Sequence, residues 1–173
     1  MKLRLRQIAL AVTDLDAATL QASQILGLGS PYQDPAIVRY GLRNAVYAIG
    51  NTFLEFVSPV TENTTVGRLL AKQGGDCGYM VILQTDGADE ARARIDAAGV
   101  RVTDRLDRNG AGFMHLHPTD VGGTLLSIDY MPRWSDWEWG GPDWQKSASN
   151  GEAITGVVIS ALAPQAMAAR WGE

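Results

Sequence analysis

Hydrophobic positions along the chain fall into two patterns: apolar runs of strand length, and Ala-rich stretches with helical spacing. Leu3 to Val12 alternates polar and apolar residues and then becomes continuously apolar, as a strand does when it enters a core. Asp14 or Asp16 is placed to cap the helix that follows, in which Ala17, Ala18, Leu20, Gln21 and Ile25 give helical periodicity up to Gly27. After a loop from Pro31 to Pro35, three short strands are expected at 37–40, 45–49 and 52–57. Asn44 and the Gly50-Asn51 pair supply the turns between them. Residues 1–60 therefore read as one βαβββ module.

Thr61 to Thr65 reads as a cap leading into a short linker helix, Val66 to Lys72, closed by Gly74-Gly75, so that 61–76 is a connector. The order then repeats over 77–132. A strand is expected from Gly78 to Thr85 and a helix from Ala88 to Ala98, ending at Gly99. Strands at 100–103, 111–115 and 124–130 follow, with Asp120-Val-Gly-Gly as a hairpin turn. The two openings, Gln7 to Ala18 and Met80 to Ala91, match in kind: an apolar run, an acidic turn, an Ala-rich helix. Self-similarity at this period indicates a duplicated unit, since neither copy alone buries its apolar face. Residues 133–151 form a Trp-rich connector. Residues 152–173 read as a partial third copy, with a strand at 153–160 and a helix from Pro164 to Trp171.

Composition narrows the function classes. A chain of 173 residues, 46% hydrophobic, is long enough to bury a real core. Its formal net charge of −4 argues against a nucleic-acid groove or an anionic membrane surface, both of which call for basic patches. The single Cys77 allows no internal disulfide, and no apolar run approaches ~20 residues, so a cytoplasmic protein is expected.

Four segments carry a family resemblance: Ala11 to Asp16, Phe53 to Pro59, Val66 to Leu70 and His117 to Gly123. With the tandem modules, they make the chain resemble the vicinal oxygen chelate superfamily (glyoxalases, methylmalonyl-CoA epimerase, extradiol dioxygenases, antibiotic-binding resistance proteins), nearest its epimerase branch. The resemblance spans about residues 3–132. It implies an α+β fold whose modules form a cup-shaped mixed β-sheet, and metal-ligand places that fall here on Gln7, Glu55, Met80 and Ser127. Glu55 is the only strong ligand among them: Gln7 is a weak neutral one, Ser127 a poor one, and Met80 suits only soft metals. No metal and no cofactor are therefore expected.

Glu55 lies inside an apolar strand, where desolvation raises a carboxyl toward the working range of a general base. The competing reading is a structural carboxylate paired with Arg39 or Arg43. Gln7, Ser127 and Tyr79 are placed to hydrogen-bond a developing oxyanion. Met80, His115, Asp129 and Trp134 are candidate ligand-contacting residues. His115 and His117 are two apart on a strand, which would suit a relocated metal site, but His117-Pro118 opens a turn, and a turn-stabilising role is favoured. The tryptophans at 134, 137, 139 and 144 are read as a structural clamp, with a ligand lid as the other reading. Besides a structural or regulatory module whose main partner is another chain, two small-molecule functions remain open. One is a metal-independent isomerase, epimerase or lyase using Glu55 as base. The other is a protein that sequesters a hydrophobic drug or metabolite without turnover. In either case the partner is a small molecule, and a homodimer is expected, with the C-terminal segment at its interface.

Overall fold

The structure is a computed structural model that describes residues 1–149 and 152–173; Asn150 and Gly151, at the end of the expected Trp-rich connector, lie outside the described residues. Backbone contacts divide the chain into two compact units. One comprises residues 7–79 and 137–154, the other residues 1–6, 80–136 and 155–173. The α+β class implied by the resemblance is observed, with helices set between groups of strands along the chain. No helix among the described residues is long and apolar enough to cross a membrane.

Strand β1 (Leu3–Ala11), which belongs to the first unit from Gln7 on, leads into helix α1 (Leu15–Leu26). Asp14 is the cap: its carboxylate accepts from Asp16 N and Ala17 N at 3.0 Å each, and Gly27, in the left-handed region, ends the helix. The buried stripe is Leu15, Ala18 and Ala22 rather than the expected Leu20 and Ile25, which are exposed. Residues 35–40, expected as a strand, form a 3₁₀ helix. Pro35 presets its first turn, the Asp34 carboxylate accepts from Ala36 N, and Gly41 terminates it at φ 69°. Strand β2 (Leu42–Ile49) therefore starts earlier than the pattern indicated and carries Asn44 inside the strand. β2 pairs antiparallel with β3 (Thr52–Pro59), which pairs parallel with β1. Ile8, Leu10, Ala45, Tyr47, Leu54 and Phe56 turn one face of these strands onto α1. The other face carries Gln7, Ala9, Phe53, Glu55, Asn44 and Val46, as the register and the period of two require. Helix α2 (Thr65–Gln73), capped by Thr64, packs Val66 and Leu70 with Ala11, Leu42 and Val57.

In the second unit, strand β4 (Cys77–Thr85) pairs parallel with β7 (Leu125–Tyr130), and β6 (Ala111–Leu116) pairs antiparallel with both β7 and β5 (Val102–Arg108). β5 is longer than expected because Asn109 and Gly110, both at positive φ, make a two-residue hairpin with β6. Helix α3 (Ala88–Ala97) buries Ala91 and Ile95 against Val81, Met114, Leu116, Leu126 and Ile128. The expected hairpin turn at Asp120 is instead a short 3₁₀ helix, Pro118–Val121. The His117 imidazole caps it, accepting from Thr119 N at 3.2 Å.

The C-terminal segment is only half as expected. The helix is present as α5 (Pro164–Gly172), but 153–160 is not a strand. Ile154 packs in the first unit's core and donates its N–H to Thr52 Oγ1 at 2.8 Å, and Ile159 packs in the second unit's core. Burial five residues apart is incompatible with a two-residue period, and Val158 between them is exposed. α5 docks on its own unit: Met167 lies over Gly122, and Trp171 donates to Val121 O at 2.8 Å.

Candidate functional site

The densest buried polar cluster surrounds Glu55. Ala9 is its partner on β1 and Val46 its partner on β2, so Gln7 and Asn44 sit diagonally on the two flanking strands of the same face. Gln7 Nε2 donates to Glu55 Oε2 at 2.8 Å, and Asn44 Nδ2 donates to Oε1 at 2.7 Å. Both amides are fixed in orientation from behind. Trp137 Nε1–H, which can only donate, bonds Gln7 Oε1 at 2.8 Å, and the backbone N–H of Asp34 bonds Asn44 Oδ1 at 2.9 Å. Each amide must therefore present its N–H₂ to Glu55. Trp137 is 1% exposed and stacks on Phe53 with centroids 5.9 Å apart, while Trp144 meets Phe53 edge-on. This is the clamp reading of these tryptophans; α4 (Trp144–Ser147) carries the last of them.

Among the described residues no cation is paired with Glu55. The arginines expected as partners are engaged elsewhere: Arg43 bonds Asp16, and Arg39 bonds and overlies Tyr40. Burial pushes the Glu55 carboxyl above the usual glutamate range. The two amide bonds pull it down, and the nearby Asp34 charge pushes it further up. Burial first, and then the Glu55 charge, push the Tyr79 phenol up to about 12. A carboxyl raised in this way binds more protons folded than unfolded. Its contribution to native stability is therefore present at low pH and lost as pH rises from the ordinary glutamate range through the folded-state value. The stability of the wild type relative to Glu55→Gln should fall over that interval and level off above it, as denaturant midpoints across a pH series would show.

The second unit brings together the remaining candidates. Ser127 is directly opposite His115, Asp129 is opposite Phe113, and Met80 and Gln84 lie on the same face, turned away from α3. Ser127 Oγ donates to the Asp129 carboxylate and also approaches Met114 O at 3.5 Å. His115 stacks on Phe113, centroids 4.2 Å apart. Trp134 lies under the Arg4 guanidinium at 4.3 Å, and its carbonyl accepts from Arg4 and from Gln84 Nε2. His117 stands apart as the 3₁₀ cap and also contacts Arg101. Gln84 was not singled out from the sequence, Asn44 was read as a turn residue, and Trp137 only as one of the clamp tryptophans. The parity of Asn44 with Val46 and Ala48 along β2 was the signal that would have placed it.

The residues at the four places that the family resemblance marks for a metal do not fit one. Gln7 has its oxygen committed to Trp137 and its N–H₂ turned inward, both Glu55 oxygens accept amide protons, the Ser127 hydroxyl is spent on Asp129, and Met80 is a thioether. Among the described residues no three His, Cys, Asp or Glu side chains are grouped to hold an ion.

Comparisons with known proteins agree with this architecture. An ethylmalonyl-CoA/methylmalonyl-CoA epimerase of Cereibacter sphaeroides is 28% identical over 134 residues, covering 74% of this chain and 98% of the relative. A variant of Streptomyces coelicolor methylmalonyl-CoA epimerase in complex with 2-nitronate-propionyl-CoA superposes with a TM-score of 0.66 at 28% identity, covering 75% of this chain and 98% of that one. A methylmalonyl-CoA epimerase in complex with methylmalonyl-CoA and ammonium gives a TM-score of 0.65, also at 28% identity, covering 75% and 94%. The glyoxalase-like domain model matches residues 8–173. Nearly the whole chain is thus accounted for by one family: it belongs to the glyoxalase-like domain family, within the vicinal oxygen chelate superfamily.

Proposed function

We propose that the protein is an epimerase-type isomerase that removes and returns a proton beside the thioester carbonyl of an acyl-CoA, with Glu55 as general base. The observation that carries this reading is a buried carboxylate with two orientation-locked N–H donors and, among the described residues, no cationic partner. The epimerase relatives at 28% identity support it. In the proposed step the Cα–H bond breaks, its proton passes to a Glu55 carboxylate oxygen, and the electron pair moves onto the thioester oxygen as an enolate. The enolate then turns its other face to Glu55, and return of the proton from the carboxyl to that face of Cα completes the epimerisation. Both neighbouring amides have their oxygens engaged, so a proton taken up by Glu55 meets no acceptor on them and remains available for return. The second hydrogen of Gln7 Nε2 and the Tyr79 phenol are the groups assigned to the enolate oxygen. Ser127, with His115, Asp129, Met80 and Trp134, is assigned to holding the substrate. Incubating the protein with methylmalonyl-CoA in D₂O should wash deuterium into C2; no exchange into this or other 2-substituted acyl-CoAs would overturn the reading.

A second reading rests on the internal satisfaction of the polar groups. Gln7, Asn44 and Ser127 all make bonds to protein partners, an arrangement that also suits binding of an apolar ligand without changing it. Tight calorimetric binding without exchange would select it. The same proposal places the protein in the cytoplasm, on the single Cys77, and as a homodimer, on exposed Val157, Val158 and Leu162 of the C-terminal segment. The solution mass of the full chain tests the dimer: a monomer at micromolar concentration excludes it.

A further inference from the structure

Trp137 is a large aromatic side chain whose polar atom enters the Glu55 cluster from behind. It is carried by residues 137–154, far along the chain from the strands it touches. Its ring is held from two sides, stacked on Phe53 and edge-on to Trp139 at 6.4 Å. Gly140, three residues on, lies so close to Phe53 that an added Cβ would fall 2.4 Å from Cε1, so the segment is seated against β3. An unanchored glutamine amide has two orientations, and beside a carboxyl the two are chemically opposite. With N–H₂ inward it stabilises the carboxylate; with oxygen inward it accepts from the protonated acid. The indole N–H removes the second choice, because turning the amide would set N–H₂ against N–H and leave a buried donor without an acceptor. Asn44 is held in the same sense by Asp34 N, but that anchor is backbone and no side-chain change removes it.

We propose that Trp137 is a positioning residue for Glu55: it locks the Gln7 amide with its N–H₂ on the carboxylate, and so couples the C-terminal part of the chain to the charge state of the base. The functional consequence rests on the general-base reading of Glu55; the lock itself does not. The other titratable groups acting on the cluster are Asp34, whose charge opposes ionisation of Glu55, and Tyr79, which senses the Glu55 charge. Neither is bonded to Trp137, so removing the indole N–H leaves both in place.

The test is a ¹³C NMR titration of the Glu55 carboxyl in the full chain, assigned by the signal missing from Glu55→Gln. Trp137→Phe keeps a ring on Phe53 and lacks the N–H. The Glu55 titration should move to higher pH, whereas Trp139→Phe should leave it where it is. Should Trp137→Phe fail to fold, benzothienylalanine at position 137 keeps the bicyclic shape and replaces N–H by sulfur, and the same upward movement is expected. In a Gln7→Leu background the change at 137 should have no further effect, since the amide it orients is gone. An unmoved titration, or a shift that persists in the Gln7→Leu background, overturns the proposal. Because the readout needs no substrate, an upward shift in a protein that exchanges no acyl-CoA proton would sink the catalytic reading and leave the lock standing.

Discussion

Glu55→Gln should lower the rate of deuterium incorporation at the substrate α-carbon by at least ~10²-fold, the usual contribution of a positioned general base. It should also cost stability. Glutamine puts an N–H₂ where glutamate has a second oxygen, and both incoming amides are locked with their own N–H₂ forward. Whichever way the new side chain turns, one donor faces another, a mismatch worth about 1–3 kcal/mol for a buried group. Substitution by the isosteric amide is ordinarily the mildest change at a carboxylate; here the locked neighbours remove that tolerance. Exchange measured by NMR and denaturant unfolding measured on the same sample separate the two effects. Undiminished exchange would remove Glu55 from the chemistry, and undiminished stability would mean that Gln7 or Asn44 turns freely.

Trp137→Ala should destabilise the protein by about 3–5 kcal/mol, the range for emptying a large buried aromatic site. The indole is 1% exposed, stacked on Phe53, and bonded to Gln7. Its loss removes the ring contact, leaves the Gln7 carbonyl without its donor, and takes away the largest buried side chain that seats this segment on β3. The comparison is Trp139→Ala, at a half-buried ring on the edge of the same cluster, which should cost much less. Equal denaturation midpoints for the two variants would mean that the connector is held elsewhere and that Trp137 is not its anchor.

Much of the architecture was legible along the chain because it is local. The helices at 15–26, 65–73, 88–97 and 164–172 were all recognisable from caps, terminal glycines and spacing, to within a residue or two. The misreadings have local causes too. Residues 37–40 carry β-branched and aromatic side chains, but Asp34-Pro35 starts a 3₁₀ turn in front of them, and the turn chemistry prevailed over strand propensity. That displaced the start of β2, so Asn44 was taken for a turn residue. Asn109-Gly110 was a hairpin signal that passed unread, which is why β5 is longer than expected.

What the sequence by itself determined is the α+β order of elements, the duplicated opening, and the placement of Glu55 in an apolar strand. Those follow from periods of 2 and 3.6 and from caps, which depend on neighbours a few residues away. Only the tertiary structure decided the partners of Glu55. Asn44 reaches it through the antiparallel register of β2, Gln7 through the parallel register of β1, and Trp137 from 130 residues away, bonded to Gln7. It also decided that Arg39 and Arg43 are engaged away from the carboxylate, and that 153–160 is drawn to two separate cores through Ile154 and Ile159 rather than into a sheet. Hydrogen-bond direction is the physical reason. A glutamine or asparagine in a sequence is donor and acceptor at once, and which of the two it offers is settled only when a donor-only group arrives from elsewhere in the fold.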